Sequence, residues 1–232
     1  ADSFAQALEW TAEVYLQAGK LMAQRGLLAG VADEGGYWPL FATNEEALDM
    51  LMRAIEASGL RFPDQVAISL DIAASEFYRD GCYELGLEKR RLSSDEFAAM
   101  LRGWLQRYPI VSIEDPLAEH DESGLRRFTQ MVGQGVQIIG DDYLVTNAER
   151  VRHAAAIGAC NAVLVKPNQA GTLSETLAAW RAAQEVGFGA IVSARACETE
   201  DTTICGLAIG WNARQLKVGS ITRGERTAKW NA

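Results

Sequence analysis

Seven ionisable residues sit at or near the ends of apolar runs, Arg195 just past one: Glu34, Asp71, Glu114, Asp141, Lys166, Arg195 and Lys217. The stretch 110–116, I-V-S-I-E-D-P, shows the pattern most sharply. Ile110, Val111 and Ile113 favour a pleated, buried setting. Glu114 and Asp115 resist burial, because a charge taken from water must be paired or bind a metal. Asp71, Glu114 and Asp141 close three consecutive apolar runs. Three converging carboxylates repel, so an unaccompanied set would have to protonate in part. An all-oxygen set without nearby His or Cys suits Mg²⁺, which keeps positions for water or substrate oxygens. Lys166 ends the run 163–165 and is a poor packing residue there. A partly desolvated lysine beside cations is a candidate general base. Glu34 lies in D-E-G-G, whose glycines allow a sharp turn, and is a candidate general acid opposite Lys166. Arg195 suits a phosphate or carboxylate clamp, and Lys217 could neutralise a substrate carboxylate or assist Lys166. A base, an acid, a divalent-metal site and an anion clamp describe one reaction class. A proton α to a carboxylate is removed, the resulting charge is stabilised, and a β-substituent departs. The plainer readings stand beside it: helix caps or solvated acids for the carboxylates, a salt bridge for Lys166, a surface ion pair for Arg195.

These residues need a scaffold that ends its strands at one edge. Helical spacing with cap residues predicts helices over 3–25, 43–59, 93–108, 120–132, 147–157, 172–186, 200–209 and 223–232. Short apolar runs predict strands at 30–33, 66–70, 110–113, 136–140, 162–165, 190–193 and 216–220. Residues 72–92 read as irregular or hairpin-like. Seven β-then-α repeats imply a parallel sheet covered by helices. The fold class expected is α/β, a TIM-type (β/α)₈ barrel whose first strand would precede Ala1. In such a barrel all strand C-termini meet at one mouth, where the active site lies. A doubly wound open sheet is the alternative, but D-E-G-G is not its G-x-G-x-x-G phosphate loop. No Pro/Ser-rich linker divides the chain, so 1–232 is read as one domain.

Composition narrows the partners. The net charge of −9 argues against a nucleic-acid backbone. A metal can still reverse the sign locally and admit an anionic substrate. No apolar run reaches the roughly 18 residues of a membrane span, and the start, A-D-S-F-A-Q, lacks a signal-peptide pattern. Cys82, Cys160, Cys197 and Cys205 are scattered, and with only His120 and His153 beside them zinc ligation is disfavoured. A reduced, cytoplasmic setting without membrane or nucleic-acid contact is expected.

Several blocks then resemble the enolase family: V-A-D-E-G-G (31–36), S-L-D-I-A-A-S-E-F-Y (69–78), S-I-E-D-P-L-A-E-H-D (112–121), I-G-D-D-Y-L-V-T-N (139–147), V-K-P-N-Q-A-G-T-L-S-E-T (165–176) and E-T-E-D-T (198–202). The resemblance implies the C-terminal barrel domain of an enolase, without the family's N-terminal α+β domain. It implies a cytoplasmic, Mg²⁺-dependent lyase that interconverts 2-phosphoglycerate and phosphoenolpyruvate, forming a homo-oligomer, dimer or larger. By resemblance Asp71, Glu114 and Asp141 match the Mg²⁺ ligands, Lys166 the base and Glu34 the acid. Glu114, Asp141, Ser193, Arg195 and Lys217 match the substrate-binding positions. Enolases typically read S-H-R-S-G-E-T-E-D where this chain reads S-A-R-A-C-E-T-E-D (193–201). Ala194 and Ala196 thus replace a histidine and a phosphate-binding serine, and Pro167 stands beside the base. These departures admit two further readings, a paralogue acting on another phospho- or phosphono-carboxylate and a non-catalytic binding protein.

Overall fold

The computed structural model describes residues 1–133 and 135–232. Its contacts divide the chain into two compact units. The first comprises 1–67, 196–202 and 218–232, and the second 68–195 and 203–217.

The first unit opens with α1 (Phe4–Gln24), capped by the Ser3 side chain, which accepts from the Gln6 N–H. The run at 30–33 was expected to join the parallel sheet. Instead β1 (Leu28–Val31) and β2 (Tyr37–Pro39) form an antiparallel hairpin. The cause is local. Within D-E-G-G the Gly35 N–H donates to Ala32 O (2.9 Å) and the Ala32 N–H to Gly36 O (2.7 Å), folding the chain back on itself. Gly35 takes a φ of +85°, and a Cβ there would meet Thr222 O at 2.5 Å. Only glycine satisfies both demands. Tyr15 of α1 stacks on Tyr37 of β2 at 4.1 Å. Helix α2 (Asn44–Ala57), capped by Thr43, packs on α1.

The second unit holds the parallel sheet. Its strands are β3 (Ile68–Asp71), β7 (Ile110–Glu114), β8 (Gln137–Gly140), β9 (Ala162–Val165), β10 (Gly189–Ser193) and β11 (Gln215–Lys217). They pair in the order β11-β10-β9-β8-β7-β3, every pair parallel. Among the described residues the parallel sheet therefore has six strands, not the seven expected, because the 30–33 run is spent in the hairpin. All four residues of β9 are buried, as a strand covered on both faces requires. Ile139, Ala162, Leu164 and Ile191 form one core cluster across β8, β9 and β10.

The sheet is curled into a half-barrel. Six flat strands at about 4.8 Å spacing would hold the edge strands about 24 Å apart. Yet Lys217 at the end of β11 reaches Asp71 at the end of β3, with Nζ 2.7 Å from Oδ2. At the other end of the strands the Gln137 and Gln215 amides bond reciprocally at 2.8 and 3.0 Å. Helix α3 (Ser94–Arg107) comes after β3 and the segment 74–92. Helices α4 (Glu122–Val132), α5 (Ala148–Ile157) and α8 (Thr203–Gly210) follow β7, β8 and β10, and α6 (Pro167–Ala170) and α7 (Leu173–Glu185) both follow β9. The Ser93–Glu96 capping box starts α3. No helix is long and apolar enough to cross a membrane among the described residues.

Residues 74–92 form a 3₁₀ turn (Ala74–Phe77) and the antiparallel strands β4 (Tyr78–Arg79), β5 (Cys82–Leu85) and β6 (Arg90–Leu92). This excursion is anchored by Tyr83, which is fully buried and stacks on Phe97 at 4.5 Å. The Tyr83 hydroxyl donates to Asp121 Oδ2 (2.9 Å) and accepts from the Ala118 N–H (3.0 Å). Ser94 also donates to Asp121 Oδ2, and the Gly124 N–H donates to Oδ1, so one buried carboxylate starts α4 and holds the excursion. Tyr83→Phe strands the Ala118 N–H and removes a donor from Asp121. The expected cost is about 1–3 kcal/mol, read as a lower urea midpoint at unchanged slope.

Candidate active site

Parallel register decides which side chains meet. In the β3–β7 ladder Asp71 pairs with Glu114, and in the β10–β11 ladder Ser193 pairs with Lys217. Asp141 follows the last residue of β8 and Lys166 the last of β9. Six of the sequence-identified residues therefore lie along one C-terminal edge: Asp71, Glu114, Asp141, Lys166, Ser193 and Lys217. Arg195 lies two residues past β10 and is exposed. Its backbone N–H donates to the Asn168 side chain at 3.2 Å.

Curling brings the charges together in two groups. Lys217 Nζ lies 2.7 Å from Asp71 Oδ2 and 2.8 Å from both oxygens of Glu114. Lys166 Nζ donates to Asp141 Oδ2, and both side chains are only 11% exposed. Burial and the neighbouring Asp71 charge push the Glu114 pKa up, and Lys217 works against that rise. Burial disfavours the Lys217 ammonium, but Glu114 and Asp71 overcome it and hold that pKa above the usual lysine value. The plain reading of Lys166, a salt bridge to a strand-end acid, is thus present in the structure. It is equally what keeps the amine aimed into the edge.

Asp115, without a role assigned from the residues alone, holds the next strand end. Its Oδ1 accepts from the Asp141 N–H (2.9 Å) and its Oδ2 from the Asp142 N–H (2.8 Å). Its own N–H donates to Ile139 O at 2.9 Å, so β7 grips β8 just where Asp141 emerges. This requires a φ of +39° at Asp115. Burial raises the Asp115 pKa to about 7, against the two N–H donors and with the charges of Asp141 and Asp142. Gln169 and Thr146 were also missed. The turn α6 after Lys166 returns Gln169 to the site, where Nε2 donates to Asp141 Oδ1 at 3.2 Å. Pro167 is the first residue of that turn, where a missing N–H costs nothing.

The donor set fits a divalent cation. Asp71 and Glu114 already converge on one cation, the Lys217 ammonium. Carboxylate oxygens of Asp115, Asp141 and Asp142 lie within 4.8 Å of one another and could hold a metal ion. All these donors are hard oxygens, matching Mg²⁺-like ions better than thiophilic ones.

Glu34 belongs to the first unit. It is half-buried, and its carbonyl accepts from the Ser220 N–H at 2.9 Å. In the same unit the segment 196–202 is tied to the terminal helix Gly224–Trp230 by two buried cations. Arg226 donates to Val218 O (2.8 Å) and to Ala196 O. Lys229 pairs with Glu198 at 2.8 Å and donates to Thr199 O at 2.7 Å.

A family model described as "Enolase, C-terminal TIM barrel domain" matches residues 1–232.

Lys217→Met leaves Asp71 and Glu114 facing each other without a counter-charge. Breaking a fully buried pair costs about 3–5 kcal/mol. With the Lys217 side chain 37% exposed, water screens part of the repulsion. The expected loss is therefore smaller, about 1–3 kcal/mol in EDTA. Mg²⁺ should raise the Tm of the variant by more than that of the parent, as measured by circular dichroism with and without the ion.

Proposed function

The chain belongs to the enolase C-terminal TIM barrel domain family, and on that premise we propose that it serves a Mg²⁺-dependent lyase reaction, the reversible dehydration of 2-phosphoglycerate to phosphoenolpyruvate. The observation that carries the reading is the strand-end array, with Lys166 and Lys217 set among Asp71, Glu114 and Asp141. Asp71, Glu114 and Asp141 are the proposed Mg²⁺ ligands. The ion, when bound, supplies positive charge against the substrate carboxylate and stabilises negative charge that develops there.

Lys166 removes the proton from C2. The C–H electron pair becomes the C2=C3 double bond as the C3–O bond breaks, and the hydroxide leaves as water on receiving a proton. The acid role of Glu34 rests on the resemblance alone. Lys217 turns its ammonium toward the substrate carboxylate, and Ser193 and Arg195 take the phosphate. An α-carboxylate proton is weakly acidic, so a base needs this concentration of positive charge near it. Arg195, exposed just past the end of β10, suits a clamp for an anion. The reading also carries a cytoplasmic setting and a homo-oligomer, dimer or larger.

Ala194 and Ala196, flanking Arg195, favour a second reading in which the same proton abstraction acts on another phospho- or phosphono-carboxylate. Each lost hydrogen-bond donor weakens anion binding by about 1–3 kcal/mol without removing the base.

Absorbance of phosphoenolpyruvate formed from 2-phosphoglycerate tests the first reading. Turnover should require Mg²⁺ and fall about 10²–10⁴-fold in Lys166→Ala. Turnover indifferent to Lys166 would sink it. Under the second reading, turnover on this substrate is feeble and rises steeply in Ala194→His/Ala196→Ser. A binding protein would show neither turnover nor response to that pair.

A further inference from the structure

We infer that Gln169, oriented by the Thr146 hydroxyl, is a positioning residue that fixes the Asp141 carboxylate for its cation and for Lys166. The inference rests on the metal set proposed above. It does not depend on which phospho-carboxylate is the substrate.

The hydrogen bonds run in one direction. The Lys166 backbone N–H donates to Thr146 Oγ1 at 3.0 Å. Thr146 is left with its hydroxyl hydrogen to give. Gln169 Oε1 lies at 2.5 Å, closer than the alternative acceptor Leu164 O at 3.4 Å. Accepting there turns the Gln169 amide nitrogen toward Asp141 Oδ1, at 3.2 Å. The carboxylate demands the same orientation, because a rotated amide would set its carbonyl oxygen against a negative oxygen. Both ends of the chain of bonds therefore agree.

Packing does not fix Gln169 by itself. It borders a cavity of about 270 Å³ that Thr146 also lines. The hydroxyl is what holds the amide. Thr146 is delivered by an unusual turn. Val145 and Thr146 take φ values of +43° and +52°, in the left-handed region that β-branched residues avoid. That turn is closed on Asp141 itself, whose carbonyl accepts from the Leu144 and Val145 N–H groups at 3.1 and 2.7 Å. Asp141 is thus held at its N–H by Asp115, at its carbonyl by the turn, and at Oδ1 by Gln169. Oδ2, the oxygen that meets Lys166, is left to respond to a ligand.

The test is Mn²⁺ titration of the full chain by calorimetry and by the electron paramagnetic resonance of the free ion, in parent, Thr146→Val, Thr146→Ser and Gln169→Met. Partners that orient a metal ligand typically change affinity by about 10–100-fold. Thr146→Val and Gln169→Met should weaken Mn²⁺ by that amount, and Thr146→Ser should stay within about threefold of the parent because it keeps the relay. Circular dichroism separates loss of fold from loss of the relay, and Gln169→Met stands in if Thr146→Val does not fold. Parent-like affinity in Thr146→Val or Gln169→Met overturns the inference. So does equal weakening in the Ser and Val variants, or a parent that binds no Mn²⁺. Mn²⁺ binding that follows this pattern without turnover of 2-phosphoglycerate would leave the inference standing and remove the lyase reading.

Discussion

Every strand of the parallel sheet ends at the same edge, and that edge carries charge that cannot stay unpaired. Glu114 is 4% exposed at its side chain, and Asp141 and Lys166 are 11% exposed. A single ionised group so far from water would cost several kcal/mol. The curl of the sheet resolves this by placing opposite charges from distant strands within hydrogen-bond reach. Lys217 comes from one edge strand, while Asp71 and Glu114 come from the other side of the sheet. The pairing that keeps these charges buried also gathers their donor atoms at one edge. Carboxylates that gather around an ammonium are also arranged to gather around a metal ion.

The backbone around the edge is bent to serve that arrangement. Asp115, Val145 and Thr146 all have positive φ, in the two segments that flank Asp141 in space. Such conformations persist only where the surroundings over-determine them. Here the surroundings are hydrogen bonds that converge on Asp141 from β7, from its own turn and from Gln169. Asp141, paired to Lys166, is thus held at its N–H, its carbonyl and one carboxylate oxygen.

In the first unit, Arg226 and Lys229 are 1% and 2% exposed, and each donates a hydrogen bond to the segment that follows Arg195. Arg226 Nε is buried with no hydrogen bond, the one such atom among the described side chains. Guanidinium and ammonium groups bound largely to backbone carbonyls fix main chain rather than side chains. The segment carrying Ala196 is therefore anchored through its main chain.

The alternation of helices and parallel strands is legible in the chain alone. Apolar runs of period and length suited to burial can form little else, as β9 shows. The sequence also shows Asp71, Glu114, Asp141 and Lys166 at strand ends, because a charge that stops an apolar run marks where the chain leaves the core, whereas Lys217 falls inside the expected 216–220 run and only the structure ends β11 there. Tertiary structure decided the rest. The D-E-G-G run reads as a strand end, and only its turn bonds and the close approach of Thr222 show it to be a hairpin. Asp115 reads as a companion of Glu114, and only the neighbouring strand end shows it to be a double acceptor. Neither Gln169 nor Thr146 signals its partner in the chain, because each partner follows a different strand. Which lysine faces which acid depends on register and curl, and these are set by packing across the sheet rather than by neighbours along the chain.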